Sequence, residues 1–583
     1  MSIREYYKNR KNQMITAVFL ITVFIACSPL ISRYCINGHD LEYHLLRIES
    51  LKEGIRMGKP FLKVNTLFFG NAGYASSMFY PDFLLYIPAL LRVLGVSINA
   101  SYHIFVALSI ILCYLSVYFC VKGMTDSAYG GMIAAVTLTL AQYHLDDIYV
   151  RGAVGEYTAF IFIPIAVYGI YNAVFEEMDK PQLFVAGYAG LILCHTTTFL
   201  MCTVFGVLIL LLRSKKTILN GKVLVRLLIS TAAVLLLTAY YWIPMLEQFS
   251  RARFYISTPW VMPDDAAVTF LSIFGSGFPA MGCVCVLVLI PRIFIRKKAK
   301  QAESEADTGR VRETEIIEYA DLLIAAGAVF TVLASDIIPW GRIGRYLSMI
   351  QFPWRFFIMG TSLFSVAAGL IFSRVAGDDE DVAKLWVFDK EADSTTVSAG
   401  AVILCILLII NGISGFGILN GNSQGYYDYS DDYYSYKPFT AGVIAGEWLP
   451  QTVTDRSTLI DDSERMIADD GSEVDFVRIK NSIEADLKSS YGYVDVPFIY
   501  YYGYTARITD ANGKTESLEV TGEGRNGMCR VYTKDHGKGV LKVTYSLTPL
   551  SVFSVILSLL TAAAAVSVYI FRKKKNKKVL KKA

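Results

Sequence analysis

Charge is what this chain has least of. Asp, Glu, Lys and Arg make up 18% of 583 residues, hydrophobic residues make up 54%, and mean hydropathy is +0.42. Too few polar side chains are present to cover that apolar surface in water, so a soluble protein is excluded and a polytopic membrane protein is expected. Metal-ligand spacing is also missing from the 10 cysteines. Most of them (Cys27, Cys113, Cys120, Cys194, Cys202, Cys283, Cys285, Cys405) lie inside apolar runs as small hydrophobes. Only Cys35 and Cys529 fall in extramembrane stretches, so no disulfide framework is implied. No small-x-small cleavage site follows the basic start (Arg4, Lys8, Arg10, Lys11), and residues 14–31 read as an uncleaved first span. An internal repeat is lacking, which leaves a transporter built from inverted repeats unsupported. Nothing in the composition points to a nucleic-acid partner, and none is expected.

What is present is a series of apolar runs, near 13–32, 101–121, 128–143, 154–175, 183–194, 196–212, 223–243, 273–295, 317–336, 353–374, 397–418 and 548–571. The stretch 79–95 is ambiguous, because it holds Pro81, Asp82, Pro88 and Arg92. Loop charge decides it. The N-terminus, Arg213-Ser-Lys-Lys with Lys222, Arg296-Lys-Lys-Ala-Lys and the tail Arg572-Lys-Lys-Lys-Asn-Lys-Lys all fall on the cytoplasmic side only if 79–95 does not cross. That stretch is therefore read as a re-entrant or surface-lying helix. The expected fold is a mainly α membrane protein of about twelve transmembrane helices with both termini cytoplasmic. Residues 1–418 form the membrane domain with a long first outward loop (33–100), 419–547 form an extracytoplasmic β-rich domain, and 548–583 supply the final helix and basic tail. The segment 375–396, with Asp378-Asp-Glu-Asp, reads as a solvated connector.

The β-rich expectation rests on alternating strand formers separated by hairpin signals. Tyr500-Tyr-Tyr-Gly-Tyr-Thr-Ala-Arg-Ile is followed by Asp510-Ala-Asn-Gly and Ser517-Leu-Glu-Val. Met528-Cys-Arg-Val-Tyr, the turn at Asp535 and Val540-Leu-Lys-Val-Thr-Tyr come next. A small outward β-sandwich follows. Its many tyrosines either stack on sugar rings or serve as sheet-face residues.

The outward side carries ionisable residues that topology alone would not place there. The first loop holds His39-Asp40-Leu-Glu-Tyr-His44-Leu-Leu-Arg47. As a helix it would put Asp40, His44, Arg47 and Leu51 on one face, at about 100° per residue. The same stretch also suits an amphipathic surface helix with ordinary i,i+4 pairs. The second loop holds His144, Asp146, Asp147, Arg151 and Glu156. His195 lies between two spans, and Arg342 and Arg345 precede Gln351-Phe-Pro-Trp-Arg355. Ionisable groups at membrane depth are costly and commonly functional. Each has a plain alternative: a solvated acidic pair, a packed histidine, a Glu156–Arg151 ion pair, an interfacial Arg355.

A lipid-linked phosphate, with its head at the outer rim and its tail in the bilayer, accounts for them together. Arg151, Glu156, His195, Arg345 and Arg355 would surround the donor phosphate, where guanidinium groups give bidentate contacts to phosphate oxygens. Asp146 and Asp147 would hold a hard divalent cation, Mg²⁺ or Mn²⁺. Asp40 would be the general base toward an acceptor hydroxyl, with His44 and Arg47 beside it and Arg47 stabilising the departing phosphate.

The run Gly38-His39-Asp40 to Arg47, then Gly54, Gly58 and Pro60, then Tyr80-Pro81, Tyr86 and Pro88, resembles the bacterial polytopic proteins called "6-pyruvoyl-tetrahydropterin synthase-related". Arg151-Gly-Ala-Val-Gly-Glu156 with Pro164, and Gln351-Phe-Pro-Trp-Arg355-Phe, look like later signatures of that group. The chain is also similar to the C-type (GT-C) superfamily of membrane glycosyltransferases, including YfhO-like proteins. That resemblance implies an Asp base in the first outward loop, matching Asp40. It implies acidic residues in the second loop that hold metal or donor phosphate, here Asp146 and Asp147, and polyprenyl-phosphate sugars as donors. No clean Asp-x-Asp is present.

The expected function is transfer of a sugar from a polyprenyl-phosphate carrier to an extracytoplasmic acceptor, such as a cell-envelope glycan, lipid or protein. The expected location is a bacterial plasma membrane. A transporter or flippase of lipid-linked glycans is the alternative, and an envelope scaffold is a third class for which this many spans are excessive.

Overall fold

The computed structural model describes residues 3–257, 261–275, 277–283, 289–290, 292–293, 308–375, 425–429, 446–533 and 538–580. They fall into two compact units, which are taken separately. The first comprises 1–41, 99–234 and 261–428, and the second 42–98, 235–260 and 429–583.

The first unit is helical. Among the described residues six helices are long and apolar enough to cross a membrane, or seven if Gly221–Leu237 and Ala239–Arg251 count together. Four of the six belong to this unit with the N-terminal helix: Ile98–Thr125, Val154–Phe175, Glu313–Leu333 and Pro353–Arg374. Helices Ala128–Thr139 and Pro181–Ile192 cover expected spans but run only 12 residues each, and Thr196–Leu212 runs 17. At about 1.5 Å per residue, 12 residues fall short of a bilayer core of about 30 Å. Twelve full-length spans are thus not reached among the described residues. The run expected at 397–418 and most of that at 273–295 lie outside them, as does the connector 375–396.

Helix Phe357–Val375 packs on both Thr308–Leu333 and Ala128–Thr139. Small residues make the second crossing possible. A Cβ on Gly130 would meet the Gly369 carbonyl oxygen at 2.6 Å, and one on Gly369 would meet that of Gly130 at 2.5 Å. Backbones approach this closely where lipid gives no hydrophobic drive and van der Waals contact must hold the helices. Leu208, Leu211, Leu212, Leu228 and Ile229 remain more than half exposed. Side chains of this kind on adjacent helices belong against acyl chains, so the chain is a membrane protein.

The second unit contains the β-structure. One sheet is ordered Ile467–Ala468, Tyr493–Ile499, Met528–Tyr532, Val520–Thr521. The other is ordered Val477–Ile479, Ser482–Leu487, Gly539–Tyr545, Tyr504–Thr509, Thr515–Leu518. All pairings are antiparallel. The hairpin expected at Asp510-Ala-Asn-Gly closes between Tyr504–Thr509 and Thr515–Leu518. There the Asp510 carboxylate accepts the Asn512 and Lys514 N–H groups, both at 2.9 Å, and Gly513 takes φ +81°. The turn expected at Asp535 lies outside the described residues.

First-loop residues share the core of these sheets. Phe68, Phe69, Tyr74, Met78 and Phe79 pack in one cluster with Val496, Phe498, Leu541 and Val543. The Ile499 N–H donates to the Ala72 carbonyl (2.9 Å), and the Trp448 N–H to the Tyr74 hydroxyl (3.0 Å). Within 79–95 the helical part is Tyr86–Val93, 8 residues, too short to cross.

Candidate functional site

Two glycines let the chain approach itself beside Asp40. Asp147–Arg151 forms a wide π-helical turn, which Gly152 ends in the left-handed region (φ +63°). Gly38 lies against that end. A Cβ added to it would come within 2.8 Å of the Gly152 nitrogen and 2.9 Å of the Arg151 carbonyl carbon. The contact allows the His39 and Asp40 N–H groups to donate to the carbonyls of Val150 (3.2 Å) and Arg151 (2.7 Å). Helix Leu41–Arg56 starts one residue after Asp40. The expected helical face through Asp40 is corrected accordingly: backbone bonds to 150–151, not helical register, hold Asp40. Gly38→Ala should force these segments apart, with a stability loss of about 1–3 kcal/mol. A thermal melt of purified protein reads this directly, and an unchanged midpoint would refute the close approach.

Arg151 is the hub of the site. Its guanidinium lies 2.6 Å from Glu156, 3.0 Å from Asp147 and 3.5 Å from Asp40. Glu156 extends the network through its other oxygen to Arg355 at 3.0 Å, and Tyr143 donates its hydroxyl to Glu156 at 3.3 Å. Arg355 is aimed by the Ile350 carbonyl (3.1 Å) and the Gln351 side-chain oxygen (2.7 Å). Arg151, Glu156 and Asp147 are nearly sealed, and Arg355 is partly buried. The Asp40 side chain is 44% exposed, against 5% for Arg151 and 2% for Glu156. An accessible carboxylate thus stands at the end of a buried chain of alternating charge. Tyr143 and Gln351 were not singled out as functional. Only the Gln-Phe-Pro-Trp-Arg run gave a signal, for Gln351.

A cavity of about 530 Å³ lies against Trp354, the residue before Arg355. It is lined by 265–269, Ser272, Gly275, Gly277, Phe278, Pro279 and Trp354. Phe278 meets the His39 ring edge-on at 5.8 Å and the Trp354 indole at 5.8 Å. The cavity wall therefore includes the neighbour of Arg355, and its Phe278 touches the neighbour of Asp40. Burial lowers the His39 pKa, partly offset by Asp40.

One of the remaining predicted site residues, His195, lies near the network, while Arg345, His44 and Arg47 are placed otherwise. His195 is buried with Nδ1 2.8 Å from the Thr198 hydroxyl, and it lies within electrostatic reach of Glu156, Arg355 and Arg151. Arg345 is not brought to the network. It is exposed, with its guanidinium 4.6 Å from the ring of its neighbour Tyr346. His44 and Arg47 belong to the second unit and find their partners there. Arg47, fully buried, pairs with Asp82 and donates to the carbonyls of Tyr80 (3.1 Å) and Pro81 (2.8 Å), while His44 Nδ1 sits 3.2 Å from it. Those bonds occupy the guanidinium in holding the first loop together, which differs from the expected role on a departing phosphate.

Asp146 and Asp147 do not form a metal site with their neighbours. Consecutive helical residues diverge by about 100°, so their carboxylates do not face one point. His144 is turned to the Thr139 carbonyl (3.0 Å) and packs edge-on against Phe160. Among the described residues no three His, Cys, Asp or Glu side chains are grouped to hold an ion. The donor set does not fit Mg²⁺ or Mn²⁺, and no step below uses one.

Burial instead pushes the Asp146 carboxyl up to about 8, against opposing pulls from Gln142 and Arg151. A folded-state pKa raised above the unfolded value gives stability that is complete below the unfolded pKa. That stability disappears as pH rises through the folded one. Melting temperature should therefore fall between about pH 4 and pH 8, and Asp146→Asn should flatten that fall. Parallel melts of the two proteins across this range test it, and identical slopes would contradict the assignment.

The chain belongs to a family described as a family of unknown function (DUF6541), whose model matches residues 14–339. It is 23% identical over 261 residues to an uncharacterized protein of Lactococcus lactis subsp. cremoris, covering 43% of this chain and 42% of that relative. Among solved structures it is similar to the mycobacterial arabinofuranosyltransferase AftD (TM-score 0.42, 13% identity, 72% of this chain and 28% of that one). It is similar to the oligosaccharyltransferase of Archaeoglobus fulgidus (TM-score 0.43, 11% identity, 71% and 56%). A third similarity is to ArnT from Cupriavidus metallidurans bound to undecaprenyl phosphate (TM-score 0.34, 12% identity, 77% and 80%). The chain thus spans well under two thirds of the first two structures and of the bacterial relative.

Proposed function

We propose that this protein is a membrane glycosyltransferase that moves a sugar from a polyprenyl-phosphate donor to an extracytoplasmic acceptor. The observation that carries the reading is the solvent-reaching Asp40 carboxylate, held 3.5 Å from the buried Arg151 guanidinium at the end of the Arg151–Glu156–Arg355 chain. Asp40 takes the proton of an acceptor hydroxyl as its oxygen attacks the sugar C1. The C1–O bond to the phosphate breaks with inversion, and the leaving phosphate keeps the electron pair. Arg151, backed by Glu156 and Asp147, stabilises the charge that develops nearby. The cavity with Phe278 and Trp354 gives the sugar a partly aromatic wall. On this reading both termini lie in the cytoplasm and the β-structure outside, the side that the bias of the basic loops favours for each.

The test is incubation of purified protein with a panel of labelled undecaprenyl-phosphate hexoses and pentoses. The expected result is release of undecaprenyl phosphate with transfer of the label to an acceptor or to water. Binding of a donor without turnover across the panel would point to a flippase and overturn the reading.

A further inference from the structure

The second unit holds a cavity of about 630 Å³ that the transfer reaction does not use. Its size lies within the range of small-ligand sites, about 300–1,000 Å³. Its walls come from the end of helix Ala239–Arg251, the segment 252–254, residues 450–452, the three tyrosines 500–502, and the edge of the four-stranded sheet at 521–523.

The cavity is built rigidly. The Gln248 side-chain amide clamps the Tyr502 backbone from both ends, donating to its carbonyl at 2.6 Å and accepting its N–H at 3.2 Å. Tyr501 is buried, donates to the Trp448 carbonyl at 3.1 Å and lies parallel to Phe254. Gly522 lets the Tyr500 ring lie against the chain, since a Cβ there would meet that ring at 2.7 Å. The Tyr500 ring and the Tyr502 backbone are therefore held in place, and both side chains remain only half buried.

Its charge is lopsided. The Arg251 guanidinium lies 4.6 Å from the centre of the Tyr502 ring. Arg253 is exposed, and its guanidinium has no partner among the described residues. The one carboxylate in the lining, Glu523, is engaged by the Tyr532 hydroxyl at 2.7 Å. Tyrosine faces suit the C–H faces of a sugar ring, amide and hydroxyl groups suit its hydroxyls, and two arginines require an anion. The edge strand Val520–Thr521 is only 2 residues long, too short to seat a peptide by strand addition.

We infer that the cavity lined by Tyr500, Tyr502, Arg251, Arg253 and Gln451 is a binding site for an acidic oligosaccharide, one whose rings carry carboxylate or phosphate groups. It stands independently of the transferase reading, because it concerns binding alone.

The test uses the full chain in detergent and titration calorimetry with four probes. They are a galacturonic acid tetramer, a phosphodiester-linked hexose oligomer, neutral cellotetraose and a hexaglutamate peptide. The acidic saccharides, or whichever of the two carries the right anion, should bind about tenfold or more tightly than cellotetraose and hexaglutamate. Their affinity should fall with rising salt. Arg253→Glu should weaken that binding about tenfold or more, and Tyr502→Ala should do so for all saccharides. Arg253 is an exposed side chain, so an unchanged melting temperature certifies folding. Equal binding of neutral and acidic sugars, preference for hexaglutamate, no binding by any probe, or indifference to Arg253→Glu in a folded protein each overturns the inference.

Discussion

Asp40→Asn is expected to lower sugar transfer about 10²–10⁴-fold while the protein melts within about 2 °C of the parent. The asparagine amide matches the carboxylate in size and can still accept a hydrogen bond from Arg151, but it has no oxygen that can carry away a proton. The stability side follows from exposure. With 44% of the side chain exposed, the 3.5 Å pair with Arg151 is screened by solvent. Such pairs contribute about 0–1 kcal/mol. The backbone bond from the Asp40 N–H to the Arg151 carbonyl survives the substitution. Donor binding, read separately by protection from heat in the presence of undecaprenyl-phosphate sugar, should persist, because the buried guanidinium groups are untouched. A variant that keeps more than about a tenth of the parental rate would remove Asp40 from the chemistry. The Gly38→Ala variant supplies the complementary comparison: it keeps the carboxylate and disturbs its position.

The order of these effects shows which parts of the protein the sequence could disclose. Asp40, Arg151, Glu156 and Arg355 stood out because ionisable residues in an apolar chain carry a desolvation cost that folding must offset. The same rule also selected Arg47, and there it could not distinguish a reactive group from a structural one. Arg47 is as buried as any residue in the chain, but its bonds to Asp82 and to the 80–81 carbonyls stitch the first loop together. Its partner lies 35 residues away, beyond anything helical periodicity reports. Asp146 and Asp147 misled for a related reason: adjacency in sequence is divergence on a helix. The hairpin at 510–513 was legible because Asp and Gly dictate the turn locally. The pairing of Gly38 with Gly152 was not legible, since two glycines more than a hundred residues apart announce close approach only when both backbones are seen. Among the described residues, some of the expected crossings are shorter than a full span, for a physical reason as well. Apolar runs of 12–17 residues in a charge-poor chain satisfy a hydropathy test without having the length to cross.

Glu156→Gln tests the opposite end of the network and should behave differently from Asp40→Asn. Glu156 is 2% exposed and bridges two guanidinium groups, Arg151 at 2.6 Å and Arg355 at 3.0 Å. Replacing it with a neutral amide leaves the buried Arg151 and the largely buried Arg355 near one another, with Asp147 and the part-exposed Asp40 to offset them. Removing one partner of a buried pair costs about 3–5 kcal/mol, because the remaining charge keeps its desolvation penalty and loses its compensation. The expected outcome is a large fall in melting temperature and in the monodisperse fraction recovered from membranes, with activity lost in proportion to folded protein. A second substitution, Arg355→Gln, removes one of the stranded cations and should recover part of the loss. The two changes should therefore couple by about 0.5–3 kcal/mol in a double-mutant cycle. Additive effects would mean that Glu156 does not bridge the two arginines. A full loss of transfer at unchanged melting temperature would place Glu156 beside the reacting atoms rather than beneath them, as the support that sets Arg151 next to Asp40.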